Sequence, residues 1–354
     1  MFGFVLFVIF SSIPIGDLPA FDTDPLALSD EAKSFFDERV ERGYPELRRL
    51  EILVDVMFKK DGLGFRYDTR TRNAEDTFRH ASGDCLSFTN LFIAVARHLD
   101  LDVRFREVEI APNWSKRGKV VVFNRHVNSV AVIGGSSYLI DLFPRVDRIE
   151  VGGRIVSDAR GLAHYYNNLG AEWFGRGSPK LALHCFERAL ESDSDAPFVW
   201  ANYAVALSHL GLVDEAEDSY RKAISLDKSN MVAIGNLADL YEKMGNLKEA
   251  QKLKKKADDF RRKNPYFHYS QGEEAYKIGL YQAALKHYRD ALKRKSKEHH
   301  FHYALARTYV KLGDNDKALE HLEKARKYAP DDSGRLRYSH KLDLLATTLD
   351  NLHP

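Results

Sequence analysis

The amino-acid sequence predicts an α+β domain followed by an all-α solenoid built from repeated pairs of helices. Two observations indicate this division. Residues 28–162 combine an amphipathic helix with two alternating segments that meet at a Gly-Gly turn, whereas the residues from 163 onward repeat with a period of 34. The length of 354 residues is consistent with two domains.

The composition is that of an ordinary folded protein. Hydrophobic residues make up 44% and charged residues 29% of the chain, which is too apolar for global disorder. Lys and Arg number 53 against 51 for Asp and Glu, so the formal charge of +2 gives no electrostatic reason to expect a nucleic-acid partner. The two cysteines, Cys85 and Cys185, exclude a disulfide framework and a zinc site built on cysteine pairs.

Residues 1–20 begin with the apolar run MFGFVLFVIF. A membrane-spanning helix needs about 20 apolar residues, whereas the length of this run is typical of a secretory signal peptide. The basic residues expected before it are missing, because the first basic residue of the chain is Lys33. We predict a signal peptide or hydrophobic anchor, and hence an exported, periplasmic or loosely membrane-associated protein. A cytoplasmic protein whose N-terminus is a buried strand, or whose start is misassigned, is the alternative.

The α+β domain is predicted to begin with two helical segments within residues 27–58, interrupted at Gly43-Tyr44-Pro45. A longer helix follows Cys85, because apolar residues recur with helical spacing at Phe88, Leu91, Phe92, Val95, Ala96 and Leu99. Cys85 therefore lies in the first turn of that helix. The helix dipole and the unpaired N–H groups there lower the pKa of a thiol, and the backbone N–H of Cys85 is a candidate oxyanion donor.

Two alternating segments after this helix predict a β-hairpin. VVVFNRHVNSVAVIG and SSYLIDLFP are joined at Gly134-Gly135, a turn signal between apolar runs. His126 lies in the first segment, and Asp141 lies among apolar residues of the second. A carboxylate in such a run needs a partner, because burying it alone is unfavourable. We therefore predict that Asp141 accepts a hydrogen bond from His126 across the hairpin and fixes the tautomer of the imidazole.

The order of these residues resembles that of the transglutaminase-like superfamily. The similarity covers residues 50–145, and the matching segments are Ala74 with Glu75, Gly83-Asp84-Cys85, AVARHLDLDVRF, RHV and YLIDLFP. The sequence departs from the family pattern at Asp100, where Gly is common, and in having no Trp after the histidine. These departures concern loop geometry and the substrate pocket.

The resemblance implies a papain-like core over residues 28–150 and a catalytic triad of Cys85, His126 and Asp141. It further implies thiol-dependent acyl transfer without a cofactor, in which Cys85 attacks a carboxamide or peptide carbonyl. We favour a cysteine peptidase or amidase, since water is the default acceptor unless it is excluded. An amine-transferring transglutaminase, an interaction scaffold with a degenerate enzyme domain, and a metal site made of the same three side chains are the alternatives.

Residues 163–332 repeat with a period of 34. When Ala163 is position 1, positions 20 and 27 are alanine in all five repeats, and position 8 is always Gly or Ala. Small residues let paired helices approach closely, and glycine supplies the left-handed backbone that ends a helix. Position 15 is glycine in every repeat, at Gly177, Gly211, Gly245, Gly279 and Gly313.

This pattern resembles the tetratricopeptide repeat, a pair of antiparallel helices. The resemblance implies five repeats over residues 163–332, a capping helix over residues 333–352, and a groove that binds a protein or peptide. Position 6 of the first three repeats holds Asn168, Asn202 and Asn236. In peptide-binding members of the family such side chains hydrogen-bond the ligand backbone. The alternative is that these asparagines only follow the structural consensus.

Two further features of the repeats, a pair of histidines and a basic segment, are not predicted to bind a ligand. His299 and His302 lie one helical turn apart, but no third or fourth ligand is nearby in the sequence, so no metal site is predicted. The basic segment from Lys252 to Lys263 is predicted to be the solvent-exposed face of a helix.

Overall fold

The computed structural model describes residues 24–110, 125–142, 150–329 and 332–350. The described residues form two compact units, one ending at Gln251 and the other beginning at Lys252. The predicted signal peptide or anchor, residues 1–20, lies outside the described residues. Among the described helices, none has the length together with the hydropathy that crossing a membrane requires.

The first unit begins with four helices and two short strands. The helices are α1 (Asp30–Asp37), α2 (Glu46–Phe58), α3 (Ala74–His80) and α4 (Cys85–His98). The two-residue strands β1 (Arg66–Tyr67) and β2 (Ser82–Gly83) precede and follow α3 in the sequence, and they pair in parallel with each other. The predicted helix that starts at Cys85 is thus confirmed, and every residue from Leu86 to Ala96 is buried.

Asp100, where the sequence departs from the pattern that it resembles, follows the C-terminal end of α4. Asp100 has a φ of +57°, in the left-handed region that glycine adopts most readily. An aspartate tolerates this backbone better than most residues. Its carboxylate also accepts a hydrogen bond of 2.7 Å from the guanidinium of Arg42. The chain therefore keeps at Asp100 the backbone that a glycine would provide.

The main sheet of this unit has four antiparallel strands. They are β3 (Val103–Ile110), β4 (Arg125–Ile133), β5 (Ser136–Ile140) and β6 (Glu150–Ile155), in the order β5-β4-β3-β6. The predicted hairpin is confirmed, and Gly134 and Gly135 both have positive φ at its turn, +56° and +79°. Asp141 lies just after β5 instead of within it, because the ladder ends where Ser129 pairs with Ile140.

Helix α4 packs on this sheet to form the core of the unit. Phe88, Leu91 and Phe92 of α4 share one apolar cluster with Phe105 of β3 and Val127 of β4. The same cluster continues into the first helix pair of the repeats. Strand β6 lies beside β3, so the sheet extends past residue 150, the predicted end of the domain.

The repeat region consists of antiparallel helix pairs, as predicted. In the first unit they are α5 (Asp158–Gly175), α6 (Pro179–Ser192), α7 (Pro197–His209), α8 (Val213–Leu226) and α9 (Met231–Lys243). Helix α10 (Leu247–Lys263) contains the division between the units. In the second unit they are α11 (Pro265–Lys277), α12 (Tyr281–Arg294), α13 (His299–Leu312), α14 (Asn315–Tyr328) and the predicted capping helix, α15 (Asp332–Asp350).

The small residues act as the repeat pattern predicts. All five position-15 glycines have φ between +76° and +81°. At position 8, a Cβ on Gly170 would lie 2.5 Å from Cε1 of Phe186, and one on Gly272 would lie 2.4 Å from Cε1 of Tyr288. Close approach of paired helices therefore depends on the missing side chain at these two positions.

We expect Gly170→Ala to destabilise the first unit although alanine favours helices. The added Cβ collides with the Phe186 ring inside a close-packed core, and such overpacking costs about 1–3 kcal/mol. The control is Gly235→Ala on α9, where a Cβ meets no atom within 4 Å. That variant should be more stable by about 0.5–1 kcal/mol. Urea denaturation followed by tryptophan fluorescence measures both, and a stabilised Gly170→Ala protein would contradict the expectation.

Candidate functional site

Cys85 is the first residue of α4, and its position is set by the N-cap of that helix. The Asp84 carboxylate accepts hydrogen bonds from the backbone N–H of Ser87 at 2.8 Å, from the Ser87 hydroxyl at 2.7 Å and from the Thr71 hydroxyl at 2.8 Å. Burial raises the pKa of Asp84. Cys85 itself is half-buried and contacts the apolar core. A thiol is thus fixed at a helix N-terminus, where the dipole favours its anionic form.

The structure brings His126 and Asp141 together, as the hairpin predicts. Nε2 of His126 lies 2.7 Å from Oδ2 of Asp141, and the same oxygen accepts a hydrogen bond of 3.1 Å from Nδ2 of Asn128. His126 is only 7% exposed. With Nε2 donating to the carboxylate, Nδ1 is the ring nitrogen left to accept a proton. Asn128 was not assigned a role from the sequence, although its alternation with His126 along β4 is the signal that identifies it.

Thr89 connects the start of α4 to strand β4. Its hydroxyl donates to the carbonyl oxygen of Cys85 at 2.8 Å and lies 3.4 Å from the carbonyl oxygen of Val127, the residue after His126. The Thr89 side chain is buried. The Thr89 hydroxyl therefore contacts both the backbone of Cys85 and the backbone next to His126.

Two of the three position-6 asparagines contact other side chains of the same unit. The Asn168 side chain lies near Asp84, the N-cap of α4, and is one of the polar groups that lower the pKa of this carboxyl against the effect of burial. Nδ2 of Asn202 donates to Oδ1 of Asn167 at 2.8 Å. Asn236 is half-buried on α9. Asn168 of the first repeat thus lies close to the start of the helix that begins with Cys85.

Glu172 makes a second contact between the first repeat and the segment that precedes α4. Its Oε1 accepts a hydrogen bond of 2.7 Å from the backbone N–H of Thr71, whose hydroxyl in turn binds Asp84. Burial raises the pKa of Glu172. Helix α5, the first helix of the repeats, thus contacts the loop between β1 and α3, whose Thr71 binds the N-cap residue of the Cys85 helix. No local sequence signal indicates this contact.

The histidines of the last repeat are grouped differently from the sequence interpretation. His302 does not face His299: its Nδ1 lies 3.0 Å from Nδ1 of His321 on α14. His299 and His300 instead meet Glu298, and one potential ligand atom from each residue lies within 4.8 Å of the others. The carboxylate of Glu298, which directly precedes His299, is a third potential ligand that the sequence interpretation did not consider, and the absence of a metal site here stays a prediction.

Family models of the tetratricopeptide repeat match residues 174–230, 213–273 and 277–338. Residues 174–338 contain tetratricopeptide repeats. No curated protein matches the chain.

Several solved structures are similar to about half of the chain. MamA from Desulfovibrio magneticus RS-1 is 20% identical, over 49% of this chain and 96% of its own, with a TM-score of 0.28. YrrB, described as a TPR protein with an unusual peptide-binding site, is 22% identical over 50% of this chain and 92% of its own, with a TM-score of 0.27. A thermophilic TPR protein from Thermus thermophilus is 24% identical over 51% of this chain and 98% of its own, with a TM-score of 0.27.

Proposed function

We propose that the protein is an interaction scaffold that binds a protein or peptide partner through its tetratricopeptide repeats. The observation that carries the proposal is the run of helix pairs that matches the repeat models over residues 174–338. Helix α7 offers suitable chemistry. Its Trp200 and Tyr203 rings, both half-buried, pack edge to face at 6.2 Å on either side of Asn202 in sequence. Aromatic side chains are enriched at protein interfaces, and a neighbouring amide can hydrogen-bond a peptide backbone.

Peptides selected against the full chain from a random library would test this proposal. Removing a hydrogen bond to the ligand should weaken binding up to about tenfold, so we expect that loss from Asn202→Ala or Asn236→Ala. Gln251→Ala, an exposed residue on the second helix of the third repeat, is the control and should bind normally. Titration calorimetry gives the affinities. Selection of no peptide, or equal affinities in all four proteins, would contradict the proposal.

A second function is favoured by the His126–Asp141 pair. We propose that residues 28–150 form a papain-like domain of the transglutaminase-like class, in which Cys85, His126 and Asp141 are catalytic. The support is the 2.7 Å contact between imidazole and carboxylate, together with the helix N-terminus at Cys85. A peptide held by the repeats would then be the substrate of the thiol.

The chemistry assigns a role to each group. The thiol proton of Cys85 passes to Nδ1 of His126, and Sγ attacks the carbonyl carbon of an amide while the Cys85 backbone N–H stabilises the oxyanion. His126 returns the proton to the leaving amine as the C–N bond breaks, which leaves a thioester. Asp141 stabilises the imidazolium. Water attacking the thioester gives hydrolysis, which we favour, whereas an attacking amine gives amide transfer.

The two cysteines of the chain provide an internal comparison for this second function. We expect iodoacetamide at pH 6 to modify Cys85 much faster than Cys185, because a thiolate stabilised by His126 persists at that pH. Cys185 is fully buried, and burial raises the pKa of its thiol to about 12. Mass spectrometry of peptides taken at intervals gives both rates. Equal rates, or a Cys85 that reacts only above pH 8, would indicate the degenerate domain.

A further inference from the structure

We propose that Glu298, His299 and His300 form a binding site for a divalent transition-metal ion, and that Zn²⁺ fits the donor set. Two imidazole nitrogens and one carboxylate oxygen are ligands that Zn²⁺ accepts, with bonds of about 2.0–2.2 Å. The three residues are consecutive at the start of α13, and nothing in the proposed scaffold or thiol functions uses them. A structural or regulatory ion in the last repeat is therefore independent of both functions.

The distances between the three ligand atoms suit one ion. Oε1 of Glu298 lies 3.0 Å from Nδ1 of His300 and 3.9 Å from Nε2 of His299. Ligand atoms around a tetrahedral zinc ion are separated by about 3.4 Å, given the usual bond lengths. The observed separations lie on either side of this value. Small rotations of the His299 and His300 side chains would bring all three atoms to bonding distance.

The outer atoms of two ligands are already held by neighbouring side chains. Nδ1 of His299 lies 2.9 Å from the hydroxyl of Tyr338 on α15, which leaves Nε2 to face Glu298. Oε2 of Glu298 accepts a hydrogen bond of 3.0 Å from the Tyr266 hydroxyl and contacts Nζ of Lys295 at 2.7 Å. Such outer contacts orient metal ligands and are a regular feature of metal sites in proteins.

Burial and charge define what kind of site this is. The Glu298 side chain is 9% exposed, and those of His299 and His300 are 17% and 25% exposed, so an ion can enter but is largely shielded from water. Lys295 and the positive end of the α13 dipole oppose a cation. However, the ammonium occupies Oε2 and leaves Oε1 for the metal. The opposing charges lower the affinity without blocking the ligands, and a water molecule would complete the coordination.

A bound ion would join parts of the second unit that are distant in sequence. Tyr266 belongs to α11, the three ligands begin α13, and Tyr338 belongs to the capping helix α15. Through its two tyrosine contacts, the site would fix the start of the last helix pair relative to α11 and α15. We therefore expect the metal to raise the melting temperature of the second unit, since a ligand that binds only the folded state stabilises it.

The test uses the full chain with Cys85→Ser, so that the thiol, His126 and Asp141 cannot provide a competing site. After removal of metal with a chelator, titration with Zn²⁺ should show one ion per chain. His299→Gln and His300→Gln should each weaken binding at least tenfold. Tyr338→Phe, which keeps the ring and removes the hydroxyl, should weaken it about tenfold through the orientation of His299. His340→Gln, an exposed histidine of α15, is the matched control and should bind normally.

Circular dichroism melts of each variant without metal would show that the fold is retained. The proposal is supported if Zn²⁺ raises the melting temperature of the Cys85→Ser and His340→Gln proteins but not that of the His299→Gln/His300→Gln double variant. It is overturned if the double variant binds Zn²⁺ as tightly as the parent protein. It is equally overturned if His340→Gln loses as much affinity as His300→Gln, which would indicate binding to surface histidines.

Discussion

Replacing His126 by alanine should lower the rate of thioester or peptide hydrolysis by at least about 10³-fold. Without the imidazole, no group is left at this position to take the proton of Cys85 or to return it to the leaving amine. Cys85→Ala should lower the rate to a similar extent. The His126→Ala/Cys85→Ala double variant should be no worse than either single variant, because the two side chains act as one unit. Steady-state kinetics with an activated thioester measures these losses.

Asp141→Asn should lower the rate less than His126→Ala or Cys85→Ala, since Asp141 orients and stabilises the imidazolium without touching the substrate. The control is His184→Ala, an exposed histidine on α6, which should leave the rate unchanged. A His126→Ala protein as active as the His184→Ala control would exclude the triad. A wild-type chain that is inert on varied peptides, esters and amine donors would favour the interaction scaffold with a degenerate enzyme domain.

The features that the sequence predicts well are those encoded by short-range patterns. The Gly134-Gly135 turn between two alternating segments predicts the hairpin, and the hairpin brings His126 to Asp141 because turn and register are local properties. The repeat glycines are equally local, since each needs only its own left-handed backbone to end a helix. The start of α4 at Cys85 belongs to the same class.

The features that the sequence does not predict depend on contacts between distant segments. Asn168 lies near Asp84 instead of facing only a ligand groove, and Glu172 of the same helix accepts a hydrogen bond from the backbone of Thr71, 101 residues earlier in the chain. His299 lies one turn before His302 in sequence, yet it contacts Tyr338 on α15 while His302 contacts His321 on α14. Helical spacing shows which side chains share a face of one helix, whereas their partners depend on how the helices pack.

Glu107 is the clearest example of such a long-range contact. Among the substitutions proposed for the first unit, its replacement should cause the largest loss of stability. Glu107 lies on β3 and is only 4% exposed. Its Oε1 is 2.9 Å from Nε2 of His164 on α5, and its Oε2 accepts hydrogen bonds of 3.1 and 2.8 Å from Nε and Nη2 of Arg154 on β6. One carboxylate therefore joins the sheet to the first helix of the repeats.

We expect Glu107→Ala to lower the free energy of unfolding of the first unit by about 3 kcal/mol, because it leaves the buried His164 without its carboxylate. Arg154→Ala is the matched control. The Arg154 side chain is 64% exposed, so its ion pair is screened by water and its loss should cost less than about 1 kcal/mol. Urea denaturation followed by tryptophan fluorescence compares the two variants, and Trp173, a buried residue of the same helix as His164, contributes to that signal. If Arg154→Ala destabilises as much as Glu107→Ala, the exposed ion pair and not the buried contact to His164 joins the sheet to the repeats.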